Sequence, residues 1–388
     1  EPSFYSETHG IQGRLDVFYQ SEDNENSAIV ELKSGKPFMP NQYGISASHF
    51  TQTLLYDLMV GAVFNGQLDP KNYILYSGQQ QDQLRFAPRV RAQQYEALQV
   101  RNQIVASEWQ LQDLSRWFSK RGLSQELIDR PNILRKLSPN RFPKVKGFLA
   151  QDLADFEKVY GNLTKVERKY FNAFSGFIAR EHQLTKTGVQ GIEGVNGLAN
   201  LWLNSFAEKE EQFDILGSLQ VQSNQAEAEE PLLIFEKTTE TQALANFRKG
   251  DIAVLYPADY NKVQPVLSNQ IFKCTILGIT KTTVQVRLRY RQFNNRIFSE
   301  ERLWNLEHDV LDSSFTAMYR SLFAFMRYPE EKRQLLLTQK APKPPNDRAI
   351  EAPQALTHEQ QTIFQQLLQS QDYFLLWGPP GTGKTSMM

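Results

Sequence analysis

Ala28-Ile29-Val30-Glu31-Leu32-Lys33-Ser34-Gly35-Lys36 reads as a strand running out into a polar turn. Upstream, Gly10-Ile11-Gln12-Gly13-Arg14-Leu15-Asp16-Val17-Phe18-Tyr19 reads as a turn and a strand, and the polar residues 20–27 separate the two stretches. Together they predict a hairpin with Asp16 on one strand and Glu31-x-Lys33 on the next. Strand side chains alternate faces, so Glu31 and Lys33 point the same way, and a suitable register brings Asp16 to them. Two carboxylates and the Leu32 backbone carbonyl then offer hard oxygen ligands for Mg²⁺ or Mn²⁺. Lys33 would orient or activate a water and offset negative charge on a phosphorane-like transition state. Glu1 is a further candidate acid for the same cation. A solvated hairpin with an ordinary Glu/Lys pair has the same spacing, so this pattern alone does not decide. Residues 48–59 add an amphipathic helix on which Gln52 and Tyr56, at i and i+4, share a face.

At the other end, Gly378-Pro379-Pro380-Gly381-Thr382-Gly383-Lys384-Thr385 fits G-x-x-x-x-G-K-T without a mismatch and follows an apolar stretch, 373–377, predicted as a strand. Glycines let backbone N–H groups curl around phosphates. Lys384 would neutralise the outer phosphate oxygens of ATP, and Thr385 would place its hydroxyl on the nucleotide's Mg²⁺. Thr357 is a candidate N-cap for a helix over 358–369. Gln360, lying 18 residues before Gly378, resembles the adenine-reading glutamine of superfamily 1 helicases. The motifs that complete hydrolysis would lie after Met388, so residues 1–388 are expected to bind nucleotide weakly and not to turn it over.

Composition frames these motifs. The chain has 388 residues, 43 Lys+Arg against 43 Asp+Glu, and 40% hydrophobic residues. Zero net charge argues against a polybasic nucleic-acid binder, and the apolar content suits packed domains rather than disorder. A single cysteine, Cys274, permits no internal disulfide and no Cys-built cluster. No apolar run reaches the ~18 residues of a membrane span, and no signal segment is evident. Starting at Glu1 and stopping three residues after the phosphate loop, the chain reads as a piece of a longer protein. Residues 87–170 hold 16 basic against 9 acidic residues, while 207–240 hold 9 acids and 2 lysines.

The predicted organisation is mixed α/β and multidomain. Residues 1–86 carry the carboxylate hairpin and 87–206 form a helical stalk. In 207–312, short strands at 215–221, 232–236, 251–256, 271–279 and 283–293 suggest a small β-barrel. Residues 313–350 are a helix and a Pro-rich linker, and 351–388 begin a phosphate-loop domain. Within the stalk, helices are expected near 95–118, ending at Gly122, then at 149–160 and 165–182. Phe171, Phe174 and Phe177 read as core packing. Arg287, Arg289 and Arg291 alternate with apolar neighbours, which would put three guanidiniums on one strand face, suited to phosphates or simply solvated.

The set Asp16, Glu31-x-Lys33 and Gln52-x-x-x-Tyr56, with the Gly-Ile-Gln-Gly-Arg-Leu-Asp phrase, resembles the RecB-like branch of the restriction-endonuclease-like nucleases. Joined to a superfamily 1 motor on one chain, it resembles the DNA replication ATP-dependent nuclease–helicase family that trims 5′ flaps. Phe177-Ile178-Ala179-Arg180-Glu181-His182, Phe247-Arg248-Lys249-Gly250-Asp251 and Trp304-Asn305-Leu306-Glu307-His308-Asp309 resemble that family's approaches to and from the barrel. The resemblance implies a restriction-endonuclease-like α/β nuclease portion, a helical stalk, a small β-barrel and the start of a P-loop RecA-like motor. It implies Asp16, Glu31, Lys33, Gln52 and Tyr56 as catalytic, with Mg²⁺ or Mn²⁺ at the nuclease and ATP with Mg²⁺ at the motor. It further implies single-stranded or flapped DNA as partner, a single-strand-binding protein as a second partner, no membrane, and a bacterial cytoplasmic (nucleoid) or eukaryotic nuclear location. The chain departs from the family in two ways. Residues 57–110 contain no cysteine where the family places three of its four iron–sulfur ligands, so no iron–sulfur cluster is expected. The family's early helices, with their histidine, would precede Glu1, and His9 and His49 read as structural. Two alternatives share these motifs: a helicase with a degenerate nuclease-fold DNA-binding module, and a defence-type helicase–nuclease.

Overall fold

The computed structural model describes residues 2–21, 26–120, 133–188, 197–259, 261–262, 264–298, 301–310 and 312–387. Glu1 and Gly122 lie outside them. The chain is a mixed α/β protein that divides into two units, residues 1–116 with 176–316, and residues 117–175 with 317–388.

In the first unit, β1 (Ser3–Ser6) and β2 (Ile11–Arg14) form an antiparallel pair. Four more strands, β3 (Val17–Gln20), β4 (Ser27–Lys33), β5 (Lys71–Tyr76) and β6 (Leu84–Phe86), make a sheet in that order. β4 and β5 run parallel. A parallel pair cannot be closed by a hairpin, and the chain crosses between them through α1 (Ala47–Val63). Alternation along β4 buries Ile29 and Glu31 and exposes Leu32. Met59, Val60 and Val63 of α1 pack with Phe4, Leu15 and Ile29. Phe50 and Leu54 pack with Ile45, Ile74, Tyr76 and Ala87. Each such side chain contributes about 1.5–3 kcal/mol, so burial rather than helix propensity fixes α1 on the sheet.

The remaining helices are α2 (Arg91–Lys120), α3 (Phe148–Gly161), α4 (Lys165–Thr187), α5 (Asn200–Leu203), α6 (Phe206–Glu211), α7 (Ser313–Met326), α8 (Glu330–Leu336), α9 (His358–Gln369) and α10 (Lys384–Met387). Among the described residues, no helix is long and apolar enough to cross a membrane.

The strand-rich stretch folds as a closed barrel. β7 (Ile215–Gln225), β8 (Leu232–Lys237), β9 (Ile252–Pro257), β10 (Phe272–Ile279), β11 (Thr283–Leu288) and β12 (Leu303–His308) close in the order β10-β11-β8-β7-β12-β9. Every neighbouring pair is antiparallel, and closure removes the exposed edges of an open sheet. Leu219, Phe235, Leu255, Ile276, Val286 and Trp304 fill the interior. Cys274 lies among them, and burial pushes its thiol well above the ordinary range. Outside the barrel, Ser205 and Glu208 form a capping box at the start of α6. Lys209 from α6 is buried against Glu307 of β12, 3.0 Å from its carboxylate. Tyr256 donates to the same carboxylate, and the Lys209 ammonium also donates to the Leu201 carbonyl at 2.8 Å.

β11 stops at Leu288, short of the predicted run to residue 293. Arg287 is exposed, but Arg289 lies past the strand end, drawn toward the buried Asp309 carboxylate at 3.8 Å. The three arginines therefore do not form one strand face.

In the second unit, Phe156 of α3 stacks on Tyr160 at 5.5 Å and on Phe323 of α7 at 5.7 Å. Glu167 is fully buried and pairs with Arg333 of α8 at 2.6 Å. α4 continues to Thr187, past the expected end at residue 182. Phe171 is buried as expected, but Phe174 and Phe177 are each 43% exposed. Steps of three residues lag behind a 3.6-residue turn, so the stripe rotates off the packed face.

Candidate functional site

Asp16 stands in a bend between β2 and β3, not on a strand as predicted. Its carboxylate accepts the Leu32 N–H at 2.8 Å, a donor that a continued ladder would otherwise use. β3 pairs Val17 with Val30, and this register carries Asp16 toward Glu31. On β4, the Lys33 ammonium donates to Glu31 Oε1 at 2.6 Å and to Gln52 Oε1 at 3.1 Å. The Gln52 amide, on α1, donates to Glu31 Oε1 at 2.8 Å and lies 2.8 Å from the Tyr56 hydroxyl. Asp16, Glu31, Lys33, Gln52 and Tyr56 thus converge on one place, built by the alternation of β4 and the four-residue repeat of α1.

Burial pushes the Glu31 carboxyl above the usual carboxylate range. The Lys33 hydrogen bond opposes this, and the nearby Asp16 charge adds to it. Burial likewise raises the Tyr56 phenol, against the hydrogen bond from Gln52. Glu31 Oε2 is buried and has no hydrogen-bond partner in the protein. A negatively charged, dry oxygen without a donor is costly, and a cation relieves that cost. The chemistry of the donors suits Mg²⁺ or Mn²⁺, which take oxygen ligands and retain water. Among the described residues no group of three or more His, Cys, Asp and Glu side chains gathers to hold a metal. Any cation here would rest on two carboxylates, backbone oxygen and water.

Residues that the sequence reading did not single out hold this arrangement. Asp57, the buried neighbour of Tyr56 in sequence, takes both Arg89 Nε and Nη2 at 2.6 Å, Gln94 at 2.8 Å and Asn72 at 3.3 Å. It ties α1 to β5 and to the start of α2. Gly13 of β2 lies close against α1. A Cβ there would meet the Met59 methyl at 3.0 Å and the Tyr56 ring at 3.1 Å. Gly13→Val should therefore displace Tyr56, read as altered tyrosine fluorescence, with little change in far-ultraviolet circular dichroism. His49 bonds the Tyr76 hydroxyl at 2.9 Å, and burial, then Lys33, lowers its pKa. His9 bonds Ser6 at 3.0 Å in the β1–β2 turn.

In the second unit, residues 373–377 are not a strand. Among the described residues no strand pairs with them, and Leu375 and Trp377 are largely exposed. An extended segment without a ladder satisfies no strand hydrogen bonds. The loop after it still takes up the shape its glycines allow, with Gly381 at φ +84° and Gly383 at φ +77°. Lys384 opens α10 and folds its ammonium onto the carbonyls of Gly378 and, at 2.9 Å, Pro379. Gln360 forms the capping box of α9 with Thr357 and reaches the Thr382 carbonyl at 3.3 Å. Its amide lies against the loop, while Thr385 remains exposed beyond Lys384.

These features define a mixed α/β chain with a two-carboxylate, lysine-bearing cluster in one unit and a glycine-rich loop closed by Lys384 in the other. No protein-family model matches the chain, and no curated protein matches it in sequence.

Proposed function

We propose that the chain belongs to a metal-dependent nuclease of single-stranded or flapped DNA coupled to an ATP-dependent superfamily 1 motor, working in DNA replication or repair. The observation that carries this reading is the convergence of Asp16, Glu31, Lys33, Gln52 and Tyr56, with Glu31 Oε2 left without a donor. On this reading the sheet of β3–β6 with α1 is the restriction-endonuclease-like portion, and residues 351–388 begin the RecA-like motor. Asp16, Glu31 and the Leu32 carbonyl would hold the cation. When bound, a divalent cation there supplies Lewis-acid charge beside the scissile phosphate. Lys33 donates from the same face, so its ammonium is placed to orient a water and to offset charge developing on phosphate oxygens. Gln52 fixes Lys33 and Glu31 relative to one another and hands the line of hydrogen bonds on to Tyr56. Incubation of an end-labelled single strand should give shortened products with Mg²⁺ or Mn²⁺ and none with chelator. Absence of products in both metals would defeat the proposal.

At the second site, Lys384 would exchange its loop carbonyls for nucleotide phosphates, and Gln360, beside the loop, would meet the base. Lys384→Ala should weaken ATP binding by about ten- to a hundredfold, the worth of a charge-assisted hydrogen bond. Calorimetric titration checks this, and unchanged affinity would remove the loop from the nucleotide site.

A further inference from the structure

Beside the carboxylate cluster lies a second feature that the cluster does not use. A cleft of about 490 Å³ runs between the β1–β2 pair and the mouth of the β10–β11 hairpin of the barrel. Gln12, Arg14 and Tyr56 line one side, and Lys273, Arg289 and Tyr290 line the other. None of the described residues that line it is acidic. The Arg14 guanidinium lies over the Tyr290 ring at 4.0 Å, closing one end with a flat cationic and aromatic surface. Lys273 and Arg289 approach the same carboxylate, Asp309, at 3.1 and 3.8 Å, and that carboxylate is fully buried. Lys273 and Arg289 share that one carboxylate, and the Arg14 guanidinium stands opposite them. Tyr5 also lines it, and the Tyr5 hydroxyl is buried without a hydrogen-bond partner. The wall made by Tyr56 is shared with the cluster, through Gln52, to Glu31.

We propose that this cleft grips the phosphate backbone of the single strand next to the cleavage site, so that the barrel supplies part of the substrate channel. The proposal rests on the nuclease reading for its substrate. Its supports are its own: convergent guanidinium and ammonium groups, an orphaned hydroxyl, and a stacking surface, which together suit phosphodiester oxygens and unpaired bases. Arg14 sits two residues before Asp16, so a phosphate held by Arg14 places its neighbours along the strand near the carboxylates. The barrel contributes Lys273 and Arg289 from strand ends already fixed by closure, which makes the grip rigid rather than a loop's.

The test measures binding without cleavage. Fluorescence anisotropy of a labelled oligothymidylate is followed in EDTA over a range of sodium chloride concentrations, with the full chain. Arg14→Glu, at an exposed position, and the pair Lys273→Gln with Arg289→Gln should each weaken binding by about tenfold or more. Each should also flatten the salt dependence, by about one unit of slope for every phosphate no longer neutralised. Lys281→Glu, on the exposed turn at the far end of the same hairpin and roughly 25 Å away by strand rise, should leave affinity near the parent's. Melting curves identify any variant that has lost its fold, and Arg14→Glu keeps the test decisive if the double variant fails. Failure of the parent to bind would overturn the proposal, as would equal affinity and slope in the cleft variants. Oligouridylate bound as tightly supports a shared phosphodiester grip, whereas binding of oligouridylate alone overturns the DNA assignment. A chain that grips the strand through these residues yet never cuts it in Mn²⁺ leaves the cleft standing and sinks the nuclease reading.

Discussion

Replacing Glu31 by alanine or glutamine should lower metal-dependent cleavage of single-stranded DNA by about 10³-fold, the scale set by losing several kcal/mol of metal-borne charge stabilisation. Glu31 is the hub of the cluster, meeting Lys33 and Gln52 through one oxygen and leaving the other without a partner. Alanine removes both oxygens and opens a space, so a fall in activity could reflect disturbed packing. Glutamine keeps the shape and removes the charge. Burial already pushes the Glu31 carboxyl up, which means that the folded state disfavours its ionised form. A neutral isostere should therefore melt no lower than the parent near neutral pH while losing cleavage. On the proposed reading, Asp16→Ala and Lys33→Ala should lose cleavage too, and nucleotide binding at the Lys384 loop should survive all of them. A Glu31→Gln protein that cuts at the parental rate would show that the cluster is not the cleavage site.

Lys209→Met should destabilise the first unit by about 3–5 kcal/mol at alkaline pH, the usual cost of leaving one member of a buried ion pair alone. Lys209 and Glu307 are both almost wholly buried. Burial already raises the Glu307 carboxyl, with Lys209 and Tyr256 holding it down. Without the lysine it should rise further. The folded variant would then bind a proton that the unfolded chain, with an ordinary glutamate near ~4.3, has released. Stability that depends on this proton is present at low pH and is lost as pH rises toward the raised value. The deficit relative to the parent should accordingly grow from pH 5 to pH 8 in thermal melts. A deficit independent of pH would mean that Glu307 does not take up the proton.

Local spacing made the cluster legible. Glu31 and Lys33 are two residues apart on a strand, and Gln52 and Tyr56 four apart on a helix, so each pair shares a face before any tertiary structure forms. The barrel was legible in the same way, as short apolar alternations separated by turns. Asp16 was placed correctly beside Glu31 but on the wrong backbone, because a side chain that captures a ladder N–H ends the strand it was assigned to. What supports the site was not legible. Arg89 finds Asp57 from 32 residues away, and Lys209 finds Glu307 from 98 residues away. Neither pair carries a periodic signal. Residues 373–377 mislead in the opposite direction: their composition suits a strand, but a strand also requires a neighbour.

The β1 strand has two allegiances. It pairs with β2, and it also bridges to the barrel through Ser3 and Ile271, whose N–H donates to the Ser3 carbonyl at 3.0 Å. Its Tyr5 is buried among Leu201, Val254, Tyr256, Val266 and Ile271. The two portions are therefore packed as one piece. A recombination that grafted this barrel onto a foreign partner, or exchanged it for another, would strip Tyr5 of its cover and leave a sticky strand behind. Separating the halves should therefore destabilise both, even where the residues of the carboxylate cluster remain intact.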